Sequence, residues 1–309
     1  MYAIFSSFFV TEKKKNRAIL IAFIGAFILA TSRWYFNFAR FSYEGVFLVA
    51  LESLSMLFAA QYVRLKKGWL LLAAGFFAGL AYLSYLPGRF FILVPLTYLW
   101  SYKTSRAALS AFIATFLIVI LPLTMYLLRY PDKRVSQQLY LANTELSLSQ
   151  KGNFLMQNVV AVPQMLTVKG DGNGRHNYPF KPAINPILLM LLVTGIGVAY
   201  IRRTREDLLV FVWSGIALLP MLLTYPWENP HMHRTITFVI PLAYFCARAV
   251  GWLWAKNFSR YAVLSIVVLV LISSMYELRT YFTFQKDVFP HAFEITGDLD
   301  SALKKYKPH

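Results

Sequence analysis

The run "RAALSAFIATFLIVILPLTMYLL", residues 106–128, carries one charge, at its first position, and no other. A bilayer's hydrocarbon core of about 30 Å takes about 20 helical residues to cross, so this run reads as a membrane-spanning helix. The whole chain shares that character: of 309 residues 58% are apolar, 17% aromatic and only 15% charged, with a mean hydropathy of +0.51. Such a balance excludes an ordinary water-soluble domain. The expectation is an all-α polytopic membrane protein.

Working outward, comparable runs lie near 18–38, 43–63, 69–86, 90–102, 185–201, 207–225, 235–254 and 260–276, which makes about nine transmembrane helices. Basic clusters punctuate them on alternate connections: Lys13, Lys14, Lys15 and Arg17; Arg64, Lys66 and Lys67; Lys103 and Arg106; Arg202, Arg203 and Arg205; Lys256 and Arg260. Lys and Arg collect on cytoplasmic loops, so these connections and the N-terminus are expected inside. The net charge of +17 is divided among the clusters and makes no continuous basic face, so nucleic acid is not an expected partner. The opposite side receives Arg33, Arg40, Arg89 and Arg234 on short loops, and two long polar segments, about 129–184 and 277–309. The chain is thus expected to divide into a membrane domain, 1–276, with one long exterior loop at 129–184, and a short exterior tail, 277–309, that could begin a soluble domain.

The first residues, "MYAIFSSFFV", precede the basic "KKKNR", an order a signal peptide does not normally have, and apolar character resumes after Ser32 with "WYFNF". As a helix the decapeptide rises only about 15 Å. It reads as the cytoplasmic end of a preceding membrane helix whose beginning is absent, or as a short interfacial helix with its aromatic rings among the headgroups. The lone Cys246 lies in an apolar run, can form no internal disulfide, and is read as a packing residue.

Four exterior stretches carry the candidate chemistry. "NFARFSYEG", residues 37–45, sets Arg40 and Glu44 four apart, on one face of a helix end, where they pair as an anchor or jointly address a polar ligand. Glu52, further along, is a carboxylate inside a membrane segment and is expected to face the bundle interior or a water-filled cavity. "AYLSYLPGRFF", residues 81–91, ends a helix with Pro-Gly and places Arg89 as the only cation of its turn. Belt aromatics explain Tyr82 and Tyr85, but a guanidinium on that side suits bidentate phosphate recognition. "YPWENPHMHRTITF", residues 225–238, brings Glu228, His231, His233 and Arg234 to a helix mouth, with Arg234 either a snorkelling anchor or an anion contact. The two histidines are two apart and lack a third ligand of matching local spacing, so no metal site is assigned. Finally "KGDGNGRHNYPFKP", residues 169–182, offers Asp171, Asn173, Arg175 and His176 in a glycine-punctuated loop, for sugar and phosphate contacts or for turn chemistry alone.

These residues, in this order, resemble a known family. "SRWYFNFARFSYEG", "GFFAGLAYLSYLPGRFFILVPL", "KGDGNGRHNYPFKPAINPILLMLLVTGIG" and "HMHRTITFVIPLAYFCARAVG" are similar to segments of the GT-C membrane glycosyltransferases of the protein O-mannosyltransferase and aminoarabinose-transferase type, over about residues 5 to 285. The resemblance implies a GT-C-like helical fold in a bacterial or archaeal plasma membrane. It also implies a polyprenyl-phosphate-linked sugar and membrane lipid as partners, and a protein, lipid or glycan as acceptor. Arg40 and Glu44 match an Arg and an acid at the cavity mouth, Arg89 an Arg after a Tyr-containing helix end, and Arg234 an Arg that opens a late helix. Asp171, Asn173, Arg175, His176 and His233 fall on loops near the donor and acceptor cavity. A divalent metal occurs in some relatives of this type, but no cofactor is required by the sequence.

The family's general base lies in an exterior loop upstream of everything that aligns here, and "DLDSALKKYKPH" ends abruptly, so the chain is expected to be a fragment. No catalytic base is then assigned, with Glu44 and Asp171 the fallback acids. Two other functions stay open. A transporter or flippase for lipid-linked sugar or polysaccharide would also turn arginines towards a cavity, though internal repeats are missing. A non-catalytic membrane scaffold is the other.

Overall fold

The structure, a computed structural model, describes residues 1–9, 15–130, 137–255, 260–285 and 287–288. Among these it is helical, with no strand and one isolated bridge between Leu139 and Thr224. Lys13, Lys14 and Lys256 of the basic clusters, and residues 289–309 of the expected tail, lie outside the described residues.

Five helices are long and apolar enough to cross a membrane: Glu44–Leu65 (α4), Arg106–Arg129 (α7), Arg205–Leu223 (α10), Ile236–Ala255, whose α-helical part is Val239–Ala255 (α11), and Leu264–Gln285, which lies mostly in Arg260–Thr280 (α12). The expected first span is broken at Ser32 into Lys15–Thr31 (α2) and Arg33–Arg40 (α3), bent by 57°, and makes a sixth if counted as one. Nine such helices are not present among the described residues. Gly68–Ser84 (α5) and Pro186–Arg202 (α9) have 17 residues each, a rise of about 25 Å. The run at 90–102 yields only the nine-residue Leu93–Ser101 (α6), because the chain first makes a 3-10 turn, Leu86–Phe90, around Pro87 and Gly88.

Two further boundaries move. The long segment 129–184 holds a 20-residue helix, Leu148–Thr167 (α8), started by a capping box in which Ser147 and Gln150 exchange side-chain and backbone bonds. The boundary at 276 falls inside α12, which continues to Thr280 and into a π-helical turn, Tyr281–Gln285.

α11 is the axis of the molecule: every residue from Val239 to Gly251 is buried, Cys246 among them. α9 lies against it, and Gly195 permits the contact, since a Cβ there would stand 1.8 Å from the Phe245 carbonyl oxygen. α2 packs on α11 as well, while α4, α5 and α7 lie side by side and α10 contacts α6 and α11. The short N-terminal helix Tyr2–Phe8 (α1) turns one aromatic face inward, where Phe5, Phe8 and the following Phe9 surround Tyr244 at 6.2, 6.1 and 5.2 Å, and leaves Tyr2 exposed. Within the bundle Glu52 is buried and accepts from the Trp213 indole at 3.1 Å, as an interior carboxylate requires.

Candidate functional site

At one end of the bundle the loop 168–185 folds inward. Asp171 and Asn173 build it: the Asp171 Oδ1 accepts from Asn173 N at 2.8 Å, and the Asn173 Oδ1 from Arg175 N at 3.0 Å. Gly170 and Phe180 close the base, with Phe180 N donating to Asp171 O and Gly170 N to Phe180 O. A Cβ on Gly170 would lie 2.0 Å from the Lys181 carbonyl oxygen, so the two limbs can approach only with glycine there.

Residues remote in sequence hold this loop down. Arg33, expected in an exterior loop, is instead buried at the α2–α3 break and donates from Nε to Glu277 of α12 at 3.1 Å. Its two other nitrogens donate to the Asn177 side chain and, at 2.6 Å, to Pro182 O. Glu277 also accepts from Asn185 at 2.8 Å, Asn37 donates to Arg175 O at 2.9 Å, and Gln285 to Gly174 O at 2.6 Å. A buried charge is tolerated when it is paired and hydrogen-bonded, and Arg33 is paired with Glu277 and donates from each of its three guanidinium nitrogens.

Thus fixed, the loop presents Asp171 and His176, both buried, to the 225–238 segment. Asp171 Oδ2 lies 2.9 Å from His176 Nδ1 and accepts from Met232 N at 2.9 Å. The His176 ring stands 4.7 Å from His231 and 5.5 Å from His233. His233 is stacked against Phe38 at 5.1 Å and Tyr85 at 4.7 Å, and Glu44 reaches to 3.9 Å from its Nε2, too far for a hydrogen bond. Burial, with the electrostatic influence of the neighbouring His176, lowers His231 and His233 to about 3, so both rings are neutral at ordinary pH. Burial opposes the Asp171 charge, yet the His176 hydrogen bond and the nearby imidazoles hold its carboxyl below the usual range.

Beside this cluster opens a cavity of about 340 Å³ with mostly apolar walls, among them Tyr85, Pro87 and Leu223, and two arginines, Arg89 and Arg234. Arg234 Nη2 pairs with Glu228 at 2.5 Å, and the Arg89 guanidinium lies 5.6 Å from the Tyr82 ring centre. Among the described residues Arg89 Nε and Arg234 Nη1 are buried with no hydrogen-bond partner. A larger cavity, about 570 Å³, adjoins α8 and is rich in carboxamides, including Asn153, Gln157, Asn158, Gln164 and Asn229.

Most residues singled out in the sequence therefore meet. Asp171, His176, His233 and Glu44 form one cluster, and Arg89 and Arg234 share the adjoining cavity. Arg40 does not join them: it ends α3, whereas Glu44 begins α4, and the turn between them, with Ser42 at φ 52°, removes the helical four-residue register. Asn173 uses its Oδ1 in the turn, where it accepts from Arg175 N. Tyr85 is an aromatic wall of the site and not merely a belt residue, and His231 finds its neighbours on the other loop. Arg33, Glu277 and Asn177 carry no local signal of their partnership, because their spacing in the chain is unrelated to their contact. No protein-family model, curated protein or solved structure matches the chain.

Proposed function

We propose that this chain is an integral membrane glycosyltransferase, or the donor-binding part of one, acting on a sugar carried by a polyprenyl phosphate. The observation that carries the reading is the pair of arginines, Arg89 and Arg234, that line an apolar cavity at one end of a helical bundle, each with one buried guanidinium nitrogen, Nε and Nη1 respectively, that has no hydrogen-bond partner among the described residues. Such donors are costly to leave unmade, and an oxyanion attached to an apolar chain satisfies both features at once. During transfer the bond from the sugar's anomeric carbon to phosphate breaks, negative charge grows on the leaving phosphate, and arginines stabilise it. The acceptor oxygen loses a proton as it forms the new bond. Of the two candidate acids, Asp171 already faces His176 and two backbone N–H groups, whereas Glu44 is 52% exposed and accessible. The carboxamides of the larger cavity suit a hydroxyl-rich acceptor. The nine-crossing topology, with this end on the exterior face of a bacterial or archaeal plasma membrane, belongs to the same proposal.

The test is retention of polyprenyl phosphate against polyprenol of equal length by the detergent-solubilised chain. Preferential retention of the phosphate is expected, and equal retention of both would sink the reading. Phosphate binding with no transfer to any acceptor would favour a transporter or scaffold.

A further inference from the structure

One ligand atom from each of Asp171, His176 and His231 lies within 4.8 Å of the other two. Ligands on a tetrahedral cation with bonds of about 2.1 Å stand roughly 3.4 Å apart, so no pair has to close by more than about 1.4 Å to share an ion. The donor set is two imidazoles and a carboxylate. We propose that Asp171, His176 and His231 bind a divalent transition-metal ion, with zinc(II) the best match.

Ligand chemistry selects the ion. Calcium and magnesium take oxygen ligands almost throughout, and a thiolate-rich site is excluded because Cys246 lies elsewhere, inside α11. Three protein ligands leave a fourth position for water or a substrate oxygen, the arrangement of a reactive zinc rather than of a closed structural one. The supporting contacts are in place. Both Asp171 oxygens accept a backbone N–H, from Asn173 and from Met232, which fixes the carboxylate as outer-shell bonds fix metal ligands. His231 Nδ1 accepts from Arg234 N at 3.3 Å, which orients the ring. Arg234 sits close by, but its charge is answered by Glu228 at 2.5 Å. Without an ion, the 2.9 Å contact between His176 and Asp171 would be a plain hydrogen bond, and that is the alternative the experiment must separate.

The chain, purified with a tag free of histidine, is stripped with chelator, incubated with zinc, magnesium or calcium, desalted, and its metal content measured. About one zinc per chain should be retained, and magnesium and calcium should not. Asp171→Asn and His231→Gln should each weaken zinc binding by about ten-fold or more, and His309→Ala should not change it. Zinc should raise the melting temperature of the wild type and of the His309 variant, and leave those of the other two unmoved. His231→Gln preserves much of the ring's volume, so a folding failure of the Asp171 variant does not block the test. Absence of retained zinc in the wild type, or equal retention in Asp171→Asn and His231→Gln, would overturn the proposal. The readout needs neither sugar donor nor acceptor, so it stands apart from the transferase reading.

Discussion

Arg33 holds the site loop through two groups, the Asn177 side chain and Pro182 O, and its removal from water is balanced chiefly by Glu277 of α12. Taking away one partner of a buried pair costs more than the pair contributes, because the other charge stays buried alone. Glu277→Gln should therefore destabilise the protein by about 3–5 kcal/mol, read as a lower melting temperature in detergent. Glu277→Gln combined with Arg33→Met should recover part of that loss; no recovery would show that the loop depends on the Arg33 bonds and not on charge balance. Arg89 gives the second residue-scale prediction. Replacing it with Lys keeps charge but loses the planar fork, so polyprenyl-phosphate binding should weaken. Replacing it with Ala should cost about 1.5 to 3 kcal/mol, or about ten- to a hundred-fold in affinity. A snorkelling anchor would instead accept Lys and lose stability, not affinity, with Ala. At this scale position in the chain was informative: Arg89 and Arg234, picked out at helix ends away from the basic clusters, share a cavity. What the chain could not disclose was pairing across it, as between Arg33 and Glu277, since nothing in either neighbourhood specifies the other.

Among the elements, apolar length located the helices well, and five of them, or six with the bent pair counted as one, are by themselves long enough to cross. The runs that became α4, α7 and α10 are uninterrupted, and each forms one long helix. The run at 90–102 is shorter, and after the 3-10 turn around Pro87 and Gly88 it forms only the nine-residue α6. α8 was hidden because its exposed carboxamides and Lys151 read as loop while Ser147 and Gln150 quietly supply a cap. Where helices touch, fit decides. Gly195→Ala should push α9 off α11 and cost about 1–3 kcal/mol, as overpacking does. Gly197→Ala, on the same helix but with nothing within 4 Å of a Cβ, should be harmless. Equal melting temperatures for the two variants would contradict the close α9–α11 approach.

For the molecule as a whole, the described residues of the basic clusters at 64–67 and 202–205 and the site lie at opposite ends of the helices. α4 runs from Glu44 to the turn at Lys66, α5 returns from Gly68 to Tyr85, and α9 and α10 meet at Arg203. With the charge bias this predicts that Phe180→Cys is labelled from outside intact cells and Arg202→Cys only after the membrane is opened. Native Cys246 is buried and should contribute no background. The reverse labelling pattern would invert every assignment of side.

The clasp between Arg33 and Glu277 joins positions 244 residues apart, and Lys181 adds a second tie from the loop to α12, at 2.7 Å to the Tyr276 hydroxyl. A ribosome delivers these partners at very different moments. Contacts of the loop with Arg33, Asn37 and Met232 are available earlier, but its ties to Glu277 and Tyr276 form only once α12 has been made. Completion of the site is thus a late event of biogenesis, separable from insertion. A chain stopped after Ala255 should still integrate into membranes, yet trypsin should cut it at Lys169, Arg175 or Lys181, where the full chain resists; equal resistance in the two would mean that the loop seats without its last helix.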